Sequence, residues 1–302
     1  MGGTPAGAAD GDAAPDPPVV PRPAASVLLV DAPAGLRSVD DVLVYLLVRH
    51  ARMAFAAGQA VFPGGAVDAR DGEGWSPSRW AGPQPEEWAT RLGLGEAEAR
   101  AVVAAAVRET FEETGVLLAG PTAGSVVADT SGAAWQAERA ELVAGNLTLA
   151  GLLERRRLVL RSDLLSPLAC WVTPATEPRR FQAWFFVADL PPGQVALDLS
   201  GETEEARWLR LGDALDSPDT GRLAMMPPQV HSLSQLYAAL AGIRAPGAPA
   251  ASWPVPVIEP RPPAASRPRG RTEPDPPSLE VPAHVTDLVA RVAQARRGRA
   301  EP

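Results

Sequence analysis

Apolar residues recur along this chain in two rhythms. In "ASVLLVDA" (25–32) and "DDVLVYLLVRH" (40–50), branched and leucine side chains run almost unbroken and predict two strands, the second buried. "GQAVFPGGAVDA" (58–69) reads as a short strand entering a glycine–proline turn. A helix is expected from Glu96 through Thr114, closed by Gly115, with shorter helices at 133–143 and 149–157. "RRFQAWFFVADLP" (179–191) is the strongest strand pattern of the second half and "EEARWLRL" (204–211) another, before a helix in "SLSQLYAALAGI" (232–243). The pattern divides the chain into a disordered, Pro/Ala-rich segment (1–23), an ordered body (24–244) and a Pro/Ala/Arg-rich stretch (245–302). Within the last, "VTDLVARVAQARRG" (285–298) can form a short amphipathic helix, docked on the body or held for a partner. The body is long enough for one mixed α/β (α+β) domain.

Composition removes several chemistries. The net charge of −8 gives no general attraction for nucleic acid or an anionic membrane, and no apolar run reaches the ~18 residues of a membrane span. With no signal-like apolar segment at its start, the chain reads as soluble and cytoplasmic. Every basic side chain other than histidine is arginine, which excludes lysine-based phosphate loops, Schiff bases and Ser–Lys dyads. Cys170, the single cysteine, lies among apolar residues and reads as a buried thiol. His50, His231 and His284 are too scattered to suggest a metal site.

"RETFEETG" (108–115) is the most unusual stretch. At about 100° per residue, Glu112 and Glu113 fall about 60° and 40° to either side of Glu109, so three carboxylates share one strip. The simple reading is a solvated acidic helix end. Against it, acids in a last helical turn oppose the macrodipole, so compensation is expected. A divalent cation such as Mg²⁺ or Mn²⁺ suits such hard oxygen donors, with Arg108 on the rim orienting a carboxylate. "FPGG" (62–65) adds a turn whose backbone can approach a metal or phosphate closely.

Together these segments resemble the Nudix box, G-x5-E-x7-R-E-U-x-E-E-x-G-U with U apolar. Gly65, Arg108, Glu109, Glu112, Glu113, Gly115 and Val116 match it, while Thr110 stands where an apolar residue is usual. The box separates its glycine and arginine by 14 residues; here 108 − 65 = 43, so 29 extra residues intervene. Counted back from Arg108, the inner glutamate falls on Arg100, about 180° round the helix from Glu109 and outside the carboxylate strip.

The resemblance implies an α/β/α sandwich around a mixed sheet, with a helical, tryptophan-bearing insertion in the box. It implies a metal-dependent pyrophosphohydrolase of nucleoside diphosphate derivatives. Glu109, Glu112, Glu113 and the Gly65 backbone would hold Mg²⁺ or Mn²⁺, with Arg108 in the catalytic set. A general base is expected from Glu202, Glu204 or Glu205 of "GETEEARW". "LLVRHARMAFAAGQAVFPGG" and the later "MMPPQVHSL" are similar to the branch of peroxisomal-type coenzyme A diphosphatases and their bacterial relatives. That branch implies cleavage of coenzyme A or acyl-CoA to 3′,5′-ADP and 4′-phosphopantetheine. Arg49, Arg52, Arg179, Arg180 and Phe62 are then substrate-binding candidates, although each arginine also suits an ordinary surface role. Trp75, Trp80 and Trp88 are expected to pack the insertion onto the body. Alternatives are hydrolysis of ADP-ribose or NADH, or a non-catalytic binding protein. The expected partner is a small nucleoside diphosphate substrate, without nucleic acid or membrane, and a homodimer is compatible with it.

Overall fold

A computed structural model describes residues 19–32, 36–50, 57–197, 203–243, 257–260 and 283–300. Most of the segment expected to be disordered (1–23) and of the proposed linker (245–282), together with Arg52 and Glu202, lies outside the described residues.

The elements run β1 (Arg22–Asp31), β2 (Leu43–Arg49), β3 (Ala60–Val61), β4 (Gly64–Ala66), β5 (Trp80–Ala81), α1 (Pro85–Leu92) and α2 (Glu96–Thr114). Next come β6 (Ala119–Gly120), α3 (Ala133–Val143), α4 (Leu149–Arg156), β7 (Val159–Arg161), β8 (Ser166–Val172) and β9 (Phe181–Asp189). β10 (Thr203–Arg210), α5 (Leu211–Thr220), α6 (Pro227–Leu240), β11 (Val257–Ile258) and α7 (Ala283–Ala300) complete the order. The main sheet is mixed, ordered β10-β2-β1-β9-β8-β11, with β1–β9 and β8–β11 parallel. β3 pairs with the end of β2 and β4 with the start of β1, which sets the FPGG turn against the sheet.

Alternation along β1 sends Val27 and Leu29 to one face and Leu28 and Val30 to the other, so each face has its own core. α1, α2 and α4 contribute to the first core; α5, α6 and α7 cover the second. The architecture is thus the three-layer sandwich expected, and among the described residues no helix is long and apolar enough to cross a membrane.

α2 is central. It is buried on nearly every side, with Val102 through Val107 all 2% exposed or less. A helix so enclosed shows little amphipathic contrast, and its alanines let neighbours approach closely. Glu98 accepts from the Gly95 N–H at its start, and Gly115 at φ 73° closes its end.

The insertion carries 3-10 turns as well as α1, and a small sheet ordered β5-β7-β6 ties it to the segment after α2. Trp88 is fully buried and meets Phe186 edge-on, while the Trp80 and Trp75 indole N–H groups donate to Pro83 O and Asp71 O. All three tryptophans pack the insertion, as expected. Within the proposed linker, Val257 and Ile258 pair with Cys170 and Trp171. The terminal helix α7 docks on the second core through buried Val292.

Candidate functional site

The site forms where the C-terminal half of α2 crosses β4 and the turn that leads into the insertion. Its centre is Arg108, whose donors all have acceptors. Nε and Nη2 donate to the two Asp71 oxygens (2.7 and 2.9 Å), and Nη1 donates to Glu109 (2.9 Å) and Glu112 (3.0 Å). A second Nη2 bond reaches Ala66 O at 3.0 Å. Asp71 is buried in turn and accepts the Asp68 N–H, closing a capping box on its own turn.

Three carboxylates therefore surround one guanidinium. Burial pushes the Glu109 carboxyl up to about 7, with the Glu112 charge adding and Arg108 opposing. Burial raises Glu112 as well, again against Arg108. Burial works against the charge on Arg108, but the Asp71 hydrogen bonds and the fields of Glu109, Asp71 and Glu112 raise its pKa overall. The set lacks positive charge, and that deficit with hard oxygen donors is what a divalent cation fits.

β4 supplies the other wall. Glu113 accepts the Gly64 N–H at 2.8 Å. A Cβ at Gly65 would sit 2.6 Å from the Glu109 carboxylate, so glycine lets the backbone come this close. Among the described residues, no three Asp, Glu, His or Cys side chains stand as a ready chelating group. As placed, Glu109 and Glu112 face Arg108 instead.

The unfavourable helix end is answered from outside α2. Arg139 on α3 donates to Glu112 O at 2.6 Å, bringing a cation to the carbonyl end of the helix. Thr110 is harmless at its apolar position: its hydroxyl is fully buried and donates to Ala106 O. Arg100 pairs with Glu96 away from the cluster, as the helical wheel requires.

The inner acid of the box, however, is not lost to Arg100. Counted forward from Gly65 through five residues, it is Asp71, the residue that grips Arg108. Since 108 − 71 = 37 where the box has 8, all 29 additional residues fall between Asp71 and Arg108. The counting direction hid it: an insertion shifts every position upstream of itself when counted from downstream.

Other candidates lie elsewhere. Phe62 is 2% exposed and packs edge-on against Phe185 in the second core, so it is a core residue rather than a substrate contact. Arg180 is buried and donates to Val19 O, Thr173 O and the Glu259 carboxylate, which makes it a clasp between chain segments. Glu205 pairs in register with Val48, which packs towards the second core, across the sheet from α2. It bonds Arg207 and, with Glu204, lines a separate cleft beside Gly58 and Arg222. Arg49 ends β2 half-buried, its backbone closing the turn to Gly58, and Arg179 is exposed.

A cleft of about 290 Å³ opens beside the cluster, between Asp71, Arg108, Glu109 and Glu112 on one side and the α3–α4 connection on the other.

The sequence matches no family model. Nudix hydrolase 7 of Caenorhabditis elegans is 30% identical over 194 residues, 64% of this chain and 55% of that protein. An acyl-coenzyme A diphosphatase of Xenopus laevis is 24% identical over 250 residues, 68% of this chain and 63% of that protein. The chain thus spans less than two thirds of either relative's length. The crystal structure of a Nudix hydrolase from Alicyclobacillus acidocaldarius aligns with a TM-score of 0.60 at 28% identity, covering 72% of this chain and 92% of that one.

Proposed function

We infer that this chain, a member of the Nudix hydrolase superfamily, hydrolyses the diphosphate of a nucleoside diphosphate derivative with the help of a divalent metal ion. Coenzyme A or an acyl-CoA is the leading substrate. The observation that carries the reading is the Asp71–Arg108–Glu109/Glu112 network set against the Gly64–Gly65 backbone.

Glu109, Glu112 and Glu113, with the Gly65 carbonyl oxygen, are the groups that would hold Mg²⁺ or Mn²⁺. Bound there, the ion would offset charge on the diphosphate oxygens and lower the pKa of an attacking water. Asp71 fixes the guanidinium, and the guanidinium aims Glu109 and Glu112, so the oxygens are oriented before substrate arrives. Two things support the coenzyme A assignment: similarity to an acyl-coenzyme A diphosphatase, and Arg49 near Gly58 upstream of the box.

The test is turnover of a panel by the purified chain with Mg²⁺ or Mn²⁺: coenzyme A, acyl-CoA, ADP-ribose and NADH. Coenzyme A should yield 3′,5′-ADP and 4′-phosphopantetheine, and Glu112→Gln should lower the rate on the order of 10–100-fold. Turnover of ADP-ribose with coenzyme A untouched removes the substrate assignment. A chain inert towards the whole panel favours the binding-protein reading.

A further inference from the structure

The far wall of the cleft differs from the acidic one. It is made by the end of α3 and the turn into α4, where Leu142, Val143 and Leu147 face the same space as Glu109 and Glu112. Leu142 is buried in the first core and Leu147 packs partly against it, but Val143 is 60% exposed. Val143 thus leaves branched apolar surface open at the rim of a polar cleft.

The turn that leads from β4 into the insertion holds this wall in place. Arg70 donates through Nη1 to Gly145 O at 2.6 Å, while Nε and Nη2 donate to the two Asp68 oxygens at 3.0 and 2.9 Å. Gly145 has φ +73°, and a Cβ there would lie 3.3 Å from the guanidinium, so the turn and Arg70 fit face to face. The hydrogen bond with Arg70 holds the Asp68 carboxyl down to about 2, so the latch stays charged across the neutral range. One short turn ahead of the insertion thus fixes both sides of the cleft: Asp71 sets the carboxylates through Arg108, and Arg70 sets the wall opposite.

Two features identify the occupant. About 290 Å³ lies at the small end of the ~300–1,000 Å³ range of ligand clefts, so the space takes part of a nucleoside diphosphate derivative and not all of it. Among the described residues no aromatic ring lines it, and the wall formed by Leu142, Val143 and Leu147 is aliphatic. An aliphatic arm suits the wall, continuous with the site that would receive the diphosphate.

We propose that Val143 and Leu147 form an apolar subsite for an aliphatic arm attached to the diphosphate, and that Arg70, through Gly145, is the residue that positions it. The proposal rests on the hydrolase reading above and adds which part of the substrate lies where.

The test is steady-state kinetics on coenzyme A esters carrying short, medium and long acyl chains, with ADP-ribose as a polar comparator. In the parent protein KM falls as the chain lengthens. Val143→Thr, an uncharged near-isostere at an exposed position, raises KM for the long-chain ester about tenfold. Its kcat, and its ADP-ribose kinetics, stay within about twofold of the parent. Arg70→Ala reproduces that selective KM rise and Arg70→Lys restores part of it, a pattern that general destabilisation does not produce. Hydrolysis by the parent with no dependence on chain length overturns the subsite alone, as does an equal effect of Val143→Thr on every substrate. A parent protein that hydrolyses none of them overturns the hydrolase reading and the subsite together.

Discussion

Every N–H of Arg108 has an acceptor, and two of those bonds go to a residue 37 positions away. The consequence is a definite cost for losing Asp71. Asp71→Asn keeps the shape but leaves the guanidinium one neutral acceptor and sets an amide NH2 against its other N–H. Charge-assisted bonds contribute about 1.5–3 kcal/mol each way of counting. The loss should lie in that range, below the ~3–5 kcal/mol of a fully orphaned buried charge, because Glu109 and Glu112 still neutralise Arg108. Urea unfolding of Asp71→Asn measures it, and a midpoint equal to the parent's would show that Asp71 does not anchor the network. At the same scale, burial pushes the Cys170 thiol up to about 12, consistent with the inert thiol expected from its apolar neighbours.

Elements were legible in proportion to how local their causes are. α2 and α3 match their expected ranges, and α4 differs by one residue, because helix formers, glycine caps and threonine caps lie within each segment. β8 was missed since "SPLACWV" carries a proline and no alternation, its pairing coming from β9 and β11. The two-residue strands β5, β6 and β7's small sheet depend on contacts between segments far apart in sequence. The same distinction holds in the site: the glutamates were readable from helical spacing and Asp71 from its distance to Gly65, whereas Arg139 arrives through a tertiary contact. The packing of β4 on α2 separates two adjacent glycines. A Cβ at Gly64 would meet Ala25 O at 2.4 Å, a backbone atom that cannot yield, so Gly64→Ala should cost about 1–3 kcal/mol. The atoms nearest a Cβ at Gly65 belong to the side-chain end of Glu109, so Gly65→Ala should stay within about 1 kcal/mol of the parent. It should nevertheless displace the Glu109 carboxylate, proposed above as a metal ligand, and lower turnover on the order of a hundredfold. Thermal unfolding with assays of both variants checks the contrast, and equal stability losses would refute it.

At the scale of the whole molecule, segments outside the core elements are stitched onto the sandwich by single arginines. Arg180 joins Val19, Thr173 and Glu259, and Arg296 fastens α7 to Asp40, Asp216 and Gly212 O. Val292 supplies the apolar part of that docking. The ionic part has a direction in pH. The hydrogen bond with Arg296 lowers the Asp216 carboxyl below its ordinary 3.8. Between the lowered value and 3.8 the undocked state binds more protons, so this stabilisation is fully present above pH 3.8 and is lost as pH falls through the lowered value. Asp216 is 57% exposed, so solvent screens the pair and its share should not exceed about 1 kcal/mol. Amide hydrogen exchange can isolate it, with α2 amides as the internal reference for global opening. Protection in α7 should hold from neutral pH down to about 4 and then decline before that of α2. Arg296→Gln should lower α7 protection at neutral pH and flatten the acid response. Equal decline of α7 and α2 in acid, or an unchanged α7 in Arg296→Gln, would mean that Val292 and its apolar neighbours hold the helix without the ionic clamp.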